Sequence, residues 1–464
     1  MTLATPPLAA LPTELPPVER QATIPLGFVA GAGVAGIKAS GRPDLAIVAT
    51  QPGPDGSRPV ASAAAVFTPN AFAAAPVRLS KAHLAATDPA GHGGFGRTTA
   101  VISTSGCANA ATGAAGDADQ AEVAEMLAAA LSTMTDQTLL LSTGIIGTRL
   151  PLDRVREGIT AVTPMLAPTD AGLAAAAEAL RTTDSAAKAA TTTITLPDVD
   201  GYTVRPVRVT GIAKGVGMIH PRMATMLSIV LTDATVDPAT LHGLLRPAAA
   251  RTWDQLSVDG DTSTNDTVFL LASGVAGAAI VSAGTRQAVE LGRAIEAVAR
   301  DLARQQAADG EGATTLITCQ VSGAVDDADA RAVARAVISS SLVKAAVHGR
   351  DPNWGRVAGA AGNATLADEA VLVAAGLPAG AARSRAGTAA ELDPDKLRIA
   401  IAGHLVFDGT AGGPVAFDRA AARTAMDAPE LLIRLDVGLG TGTGEAFGCD
   451  LTETYVLENS EYTT

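Results

Sequence analysis

The chain has 464 residues, a length typical of roughly two to four domains, and 47% of its residues are hydrophobic. Its formal net charge of −13 argues against a surface for nucleic acid or anionic membranes, because such ligands repel an acidic protein. The three cysteines, Cys107, Cys319 and Cys449, lie far apart without metal or redox spacing, so we expect buried thiols in a reducing cytoplasm. The scattered histidines form no HExxH motif, and we therefore expect no catalytic metal.

The first 24 residues are rich in proline and lack the basic start of a secretory signal. We expect a disordered leader over residues 1–24. No later stretch approaches the about 18 consecutive apolar residues that a membrane-spanning helix needs. These features predict a cytoplasmic protein without a transmembrane helix.

Beyond the leader, apolar runs with strand-like composition alternate with helical patterns, which favours a mixed α/β class. The predicted strands cover residues 45–49, 63–67, 99–103, 139–141, 192–196, 204–210, 226–232, 316–321, 433–437 and 454–457. The predicted helices cover residues 117–131, 173–180, 239–253, 286–308 and 327–347.

The predicted strand at 139–141 stops at the motif STGIIG, which contains Thr143 and Gly144. A Thr-Gly pair at the end of a strand leaves backbone N–H groups pointing into space, which is one way to build an oxyanion hole. The alternative is a plain left-handed turn at Gly144, since glycine adopts that conformation readily.

Residues 214–234, KGVGMIHPRMATMLSIVLTDA, begin with a lone lysine, Lys214, and then combine helix-breaking glycines and a proline with a strand-like run. Thr225 stands where the irregular segment becomes a strand. A hydroxyl held there on a rigid element with open approach suits a nucleophile. The alternative is a turn that simply leads into a core strand.

Two further loops carry polar side chains. Residues 257–266, SVDGDTSTND, predict a hydrogen-bonded loop that supports a site, with cation binding as the alternative. Glu311 precedes a predicted strand and either meets an ammonium group or is solvated.

Several of these stretches together resemble the ornithine acetyltransferase family, also called the glutamate N-acetyltransferases, of arginine biosynthesis. They span nearly the whole chain after the leader, in the order GFVAGAGVAGIK, VFTPNAFAAAPV, STGIIG, KGVGMIHPRMATML, SVDGDTSTNDT, DGEGAT, GRDPNWGR and YVLENSEYTT. The resemblance implies a layered α/β domain of the N-terminal-nucleophile type with a smaller second α/β lobe.

The resemblance also implies a precursor that cuts its own chain between Ala224 and Thr225. Behind the leader, residues 25–224 would form an alpha chain and residues 225–464 a beta chain. The two fragments would stay associated as a heterotetramer with two copies of each.

By the same resemblance, Thr225 is the nucleophile, and Thr143 and Gly144 form the oxyanion hole. Lys214 suits a substrate carboxylate, and Glu311 suits the side-chain ammonium of ornithine. The positions that match the family's substrate contacts are Thr182, Lys214, Thr225, Glu311, Asn459 and Thr464. Thr183, next to Thr182, remains an alternative for that position.

The activity implied is transfer of acetyl from N-acetylornithine to glutamate through an acetyl-Thr225 intermediate, in a ping-pong cycle without a cofactor or metal. Whether acetyl-CoA serves as a second acetyl donor is left open, because no motif separates the family members that use it from those that do not. Two other classes fit the residues less closely: an N-terminal-nucleophile aminopeptidase or amidase, and a binding protein without the chemistry.

Overall fold

The computed structural model describes residues 8, 11, 14–199, 201–220 and 226–460. In chain order the strands are β1 (Phe28–Gly33), β2 (Leu45–Thr50), β3 (Ala61–Phe67), β4 (Phe95–Thr98), β5 (Ala100–Cys107), β6 (Thr138–Ile145), β7 (Lys188–Pro197), β8 (Val204–Lys214), β9 (Leu227–Thr232), β10 (Leu256–Ser257), β11 (Thr267–Ala272), β12 (Leu316–Ala324), β13 (Arg398–Ile401), β14 (His404–Asp408), β15 (Gly413–Pro414), β16 (Glu430–Asp436) and β17 (Gly442–Cys449).

The helices follow the strands in an interleaved order, as the alternating sequence pattern predicts. They are α1 (Ala75–Thr87), α2 (Gly113–Leu131), α3 (Leu152–Val162), α4 (Asp170–Leu180), α5 (Pro238–Arg251), α6 (Arg286–Ala308), α7 (Asp327–Ser339), α8 (Ser341–His348), α9 (Trp354–Gly362), α10 (Glu369–Ala374), α11 (Ala379–Arg385), α12 (Arg419–Ala425) and α13 (Glu453–Ser460).

Two sheets stack to form the larger lobe. One has the order β1-β2-β5-β6, and the other has the order β4-β3-β11-β9-β8-β7. Helices α2 and α3 cover the outer face of the first sheet, and α5 and α6 cover the outer face of the second. Helices α1 and α4 join the core between the two sheets, so the layer order is helix, sheet, sheet, helix.

The second sheet is buried on both faces, which explains its continuous apolar strands. In β9, Leu227, Ile229 and Leu231 enter the core between the sheets, whereas Val230 faces α5 and α6. Successive side chains of a strand point to opposite faces, so a strand between two layers needs apolar residues at every position. The mostly apolar composition of MLSIVLT is therefore explained by the central place of β9 in this sheet.

A second lobe contains the sheet β10-β17-β12-β16-β13-β14-β15, against which α7, α8 and α9 pack. Phe447 and Cys449 of β17 belong to the core of the larger lobe, which ties the two lobes together. The predicted mixed α/β class, with layered sheets and a second α/β lobe, is confirmed. Within the described ranges, no helix combines the length and apolar character that a membrane span requires.

Two predicted elements are wrong. Residues 454–457 lie in helix α13 and not in a strand. The single helix predicted over residues 327–347 is two helices, because the backbone of Ser340 is extended and its hydroxyl accepts a hydrogen bond from the Val343 N–H. A serine in this role begins a new helix by capping its free N–H groups.

Part of the predicted leader packs on the larger lobe. Glu19 and Thr191 exchange two backbone hydrogen bonds of 2.8 Å, and Arg20 forms an ion pair of 3.1 Å with Asp301 of α6. Thr191 belongs to β7, the last strand of its sheet, whose unpaired edge can accept an extended segment. Residues 14–24 are thus anchored where the sequence predicts disorder.

Candidate active site

Thr143 and Gly144 lie within the end of β6 and not after it, since the strand continues to Ile145. Gly144 pairs with Gly106 of β5, and its φ of 129° lies far from the left-handed turn conformation near 57°. A Cβ at Gly144 would lie 2.3 Å from the carbonyl carbon of Gly106. The close approach of the two strands therefore requires glycine, and the alternative of a plain left-handed turn does not hold.

Lys214 is the last residue of β8, so it extends from a strand and not from the loop that the sequence predicts. Its Nζ donates a hydrogen bond of 3.2 Å to Oγ1 of Thr143. This contact joins residues 71 positions apart in the chain. We call Thr143, Gly144 and Lys214 the strand-end group.

Glu311 is the centre of a second group. Its Oε1 accepts a hydrogen bond of 2.9 Å from the Thr183 hydroxyl, and its Oε2 accepts one of 2.9 Å from Nδ2 of Asn459. The loop after Lys214 makes room for this carboxylate, because a Cβ at Gly217 would lie 2.2 Å from Oε2 of Glu311. We call Glu311, Thr183 and Asn459 the carboxylate cluster.

The structure distinguishes Thr182 from Thr183 by their contacts. The Thr183 hydroxyl contacts Glu311, whereas Thr182 uses its backbone. The N–H of Thr182 donates to Asp184, and its carbonyl accepts a hydrogen bond from Arg42. Of the two threonines, the geometry therefore places Thr183 in the cluster.

A buried ionic network supports Lys214 from behind. Asp184 accepts hydrogen bonds from Nζ of Lys188 at 2.7 Å and from the N–H of Gly215 at 2.8 Å, and Lys188 also contacts Asp309 at 2.6 Å. Burial opposes the charge of Asp184, but the ammonium groups of Lys214 and Lys188 hold the pKa of its carboxyl below the usual range. Asp184 thus fixes the backbone beside Lys214 with a full negative charge.

Lys214 itself is half-buried, and removal of its ammonium from water lowers its pKa. Asp184 opposes this effect, Lys188 adds to it, and Glu311 and Asp266 oppose it from further along the site. The amine is therefore easier to deprotonate than a lysine in water.

The loop predicted to support a site holds the backbone on either side of the strand-end group. The buried side chain of Asn265 donates hydrogen bonds to the carbonyl groups of Ala108 at 2.7 Å and Ser142 at 2.8 Å. Asp259 accepts hydrogen bonds from the backbone N–H groups of Met218 and Ile219. One loop thus holds both the strand before Thr143 and the segment after Lys214.

Asp184 and Asn265 are positioning residues that the sequence reasoning did not single out. Their motifs, TTD and SVDGDTSTND, were visible, but their partners are backbone groups of distant segments. Across the residues that the structure describes, no three His, Cys, Asp or Glu side chains are grouped so that they could hold a metal ion.

Three residues predicted for the site, Ala224, Thr225 and Thr464, lie outside the described residues. The chain is described up to His220 and again from Met226. Leu227, two positions after Thr225, pairs with Lys214 across β9 and β8.

The fold and the two polar groups define a layered α/β protein with an amine and a hydroxyl at the ends of two strands and a carboxylate on an adjoining loop. The chain belongs to the ArgJ family, whose model matches residues 29–464.

Similar proteins cover nearly the whole chain. The Synechocystis protein named "Arginine biosynthesis bifunctional protein ArgJ" is 42% identical over 457 residues, which are 96% of this chain and 98% of the relative. The protein of the same name from Thermus thermophilus is 39% identical and covers 95% of this chain and 99% of its own.

Two solved structures resemble shorter parts of the chain. The arginine biosynthesis bifunctional protein from Bacillus halodurans has 35% identity and a TM-score of 0.44, and covers 51% of this chain and 99% of its own. The ornithine acetyltransferase from Mycobacterium tuberculosis, complexed with ornithine, has 37% identity and a TM-score of 0.35, and covers 45% of this chain and 98% of its own.

Proposed function

We propose that this protein is a glutamate N-acetyltransferase of arginine biosynthesis, which moves acetyl from N2-acetylornithine to glutamate. The observation that carries the proposal is that the carboxylate cluster adjoins the strand-end group: the N–H of Glu311 donates a hydrogen bond of 2.9 Å to the carbonyl of Val216, two residues after Lys214. One site offers an ammonium from Lys214 and a carboxylate from Glu311, which complement a substrate that carries a carboxylate and an ammonium group.

The carboxylate cluster suits the side-chain ammonium of ornithine. Thr183 donates one hydrogen bond to Oε1 of Glu311, and Asn459 donates one to Oε2, so each takes one acceptor position. An ionised carboxylate offers about four acceptor positions, so Glu311 keeps capacity for a third donor. Its two neighbours fix its orientation, which lowers the cost of ordering it on binding.

The strand-end group suits the oxyanion of the reaction. Thr143 already accepts a hydrogen bond from Lys214, so its own O–H is left to donate elsewhere. We propose that this O–H and the N–H of Gly144 stabilise the oxygen of the tetrahedral intermediates.

The nucleophile in this proposal is Thr225, released by self-cleavage after Ala224. Cleavage frees an α-amine whose ordinary pKa of about 7.7–8.0 allows it to take the proton of the Thr225 hydroxyl. The oxygen attacks the acetyl carbonyl, ornithine leaves with a proton, and an acetyl ester remains. The amine of glutamate then attacks that ester, which gives N-acetylglutamate and restores the hydroxyl.

Strand pairing explains how the two fragments would stay together. Strand β9 of the proposed beta chain pairs with β8 of the proposed alpha chain, and β11 pairs with β3. A cut before Thr225 leaves these hydrogen bonds intact. We propose a cytoplasmic heterotetramer of two alpha and two beta chains, with residues 25–224 and 225–464 in each pair.

The proposal includes Thr464 as a further substrate contact and requires no cofactor or metal. Acetyl-CoA is proposed as a second acetyl donor, in line with the word "bifunctional" in the relatives' names.

The test is to incubate purified protein with N-acetylornithine, with and without glutamate, and to measure ornithine, acetate and N-acetylglutamate. We expect ornithine release to depend on glutamate and to match N-acetylglutamate formation. Free acetate at a rate independent of glutamate would instead identify a hydrolase.

Thr225→Ala is expected to give one uncut, inactive chain, because the variant lacks the hydroxyl needed for both cleavage and transfer. A denaturing gel and the same assay measure both properties, and N-terminal sequencing of the larger wild-type fragment, residues 225–464, should begin at Thr225. An active Thr225→Ala variant would contradict the assignment of the nucleophile.

A further inference from the structure

A cavity of about 1170 Å³ lies in the second lobe, between α7, α9 and α10. Asp254 and Gln255 of the larger lobe form part of its wall. Binding pockets for small molecules commonly measure about 300–1000 Å³, so this space suits a ligand larger than an amino acid. Of the site residues that the structure describes, neither the strand-end group nor the carboxylate cluster lines it.

The cavity collects positive charge in an acidic chain. Arg331, Arg335 and Arg356 line it, although the chain as a whole has a net charge of −13. Arg356 donates one hydrogen bond of 2.8 Å to the carbonyl of Leu342, which leaves further N–H groups of its guanidinium for a ligand.

The carboxylates in the cavity wall already have partners. Asp254 forms an ion pair of 3.0 Å with Arg246, and Asp368 caps α10 by accepting a hydrogen bond from the Val371 N–H. Neither carboxylate pairs directly with Arg331 or Arg356.

Arg331 is the most informative of the three. Only 8% of it is exposed, and within the described part of the chain its guanidinium has neither a hydrogen bond nor an ion pair. Burial lowers its pKa, while Asp327 opposes this effect from nearby. A buried cation without a partner is costly, and an anion bound in the cavity would supply the missing partner.

The nearby carboxylates are engaged elsewhere. Asp326 pairs with Arg385, Glu296 pairs with Arg251 at 2.6 Å, and an oxygen of Asp327 accepts a hydrogen bond from the Thr443 N–H at 2.8 Å.

The remaining lining combines small or aliphatic residues with polar ones, such as Ser339, Asn353 and Thr365. Ala332 and Ala336 of α7 face the space together with Gly355 and Gly359 of α9, and Leu372 of α10 adds an apolar surface. Walls of this kind leave room for a flat ring system beside the arginines. The guanidinium group matches phosphate oxygens with paired donors.

We propose that this cavity binds an organic phosphate of nucleotide size, with its phosphate groups on Arg331 and Arg356 and its ring system against the alanine and glycine walls. A free nucleotide has this chemistry, and coenzyme A, which carries a similar nucleotide portion, is the comparison that the test requires. The inference does not rest on the proposed acetyl transfer, because neither the strand-end group nor the carboxylate cluster lines the cavity; of the segment that leads to Thr225, the described residue His220 lines it.

The test is calorimetric titration of the full-length protein with ADP, coenzyme A and inorganic pyrophosphate. We expect ADP to bind more tightly than pyrophosphate and at least as tightly as coenzyme A. Arg331→Gln should weaken that binding by about tenfold or more, the scale of a lost charge-assisted hydrogen bond. Arg286→Gln is the matched control, because Arg286 is 89% exposed at the start of α6 and far from the cavity lining.

Binding of ADP at least as tight as that of coenzyme A supports the inference. Clear preference for coenzyme A would overturn it, because the cavity would then serve the acetyl donor already proposed for the reaction. Failure of all three probes to bind at millimolar concentration would overturn it, as would equal binding by wild type and Arg331→Gln.

A second pair of variants tests the same proposal if Arg331→Gln does not fold. Ala336→Glu leaves Arg331 in place but adds a negative charge to the cavity, and Ala336→Gln adds nearly the same volume without the charge. We expect Ala336→Glu to lose much more affinity than Ala336→Gln. Equal affinities would contradict an anionic ligand.

Discussion

The strand-end group and the carboxylate cluster are built in different ways. Thr143, Gly144 and Lys214 all lie in strands that continue into buried sheets. The carboxylate cluster combines Glu311, from the loop before β12, with Thr183 and Asn459, which are both exposed. Asn459 lies in α13, a helix without a buried residue.

This contrast matches two chemical tasks. Stabilisation of a developing negative charge requires donors that are already in place, and strand ends held by a buried core supply them. Recognition of a flexible ammonium chain tolerates adjustment, and an exposed loop and helix allow it. Changes in the strand-end group should therefore affect the rate of chemistry, and changes in the cluster should affect substrate affinity.

The largest effect in this comparison is expected for Thr143→Ala. Loss of one oxyanion donor should lower kcat on the order of 10²- to 10³-fold, with little change in KM. Steady-state assays with N-acetylornithine and glutamate measure both constants. Thr143→Ser keeps the hydroxyl and should retain most of the rate, so equal losses in the two variants would contradict the donor role.

Glu311→Gln should act mainly on affinity. Removal of the charge that meets the substrate ammonium should raise KM for N-acetylornithine by about 10- to 100-fold, the scale of a hydrogen bond to a charged group. Glu458→Gln, an exposed position in α13, is the charge-matched control. A fall in kcat at unchanged KM would instead assign Glu311 to the chemical step. It would contradict the division of roles between the strand-end group and the carboxylate cluster.

Asn265→Ala tests whether the supporting loop sets the geometry of the strand-end group. The variant leaves the carbonyl groups of Ala108 and Ser142 without their donor, which should cost about 1–3 kcal/mol of unfolding free energy. Denaturant unfolding measures the loss. Because Ser142 precedes Thr143, we also expect a lower kcat than in a variant equally destabilised elsewhere. An unchanged kcat would show that Asn265 stabilises the fold without setting the geometry of the strand-end group.

The smallest effect concerns pH. Because burial lowers the pKa of Lys214, its ammonium is lost at a lower pH than that of a lysine in water. Binding of a carboxylate ligand should weaken several-fold as pH rises through that lowered pKa.

Titration of N-acetylglutamate binding between about pH 7 and 10 tests this, because the ligand has no amine that titrates there. Lys214→Arg should bind without this pH dependence, since arginine keeps its charge to about pH 12 or above. The same decline in both variants would assign the titration to another group.

Local patterns predicted several elements well. The helix predicted at 286–308 has the bounds of α6, Arg286–Ala308, because its apolar positions recur with helical spacing and Thr285 caps its start. The apolar run 226–232 likewise contains β9. The strand predicted over residues 454–457 was wrong: its residues suit a strand, but they lie in the surface helix α13, which has no buried residue.

The sequence by itself determined the α/β alternation, the buried central strands and the family motifs, because these depend on residue spacing along one segment. The contacts within the site were decided only in three dimensions. Lys214 reaches Thr143 because β8 and β6 end at the same side of the stacked sheets. Thr183 and Asn459 meet on Glu311 although they are hundreds of residues apart. Such contacts depend on how the layers pack, and no pattern within a single segment records that.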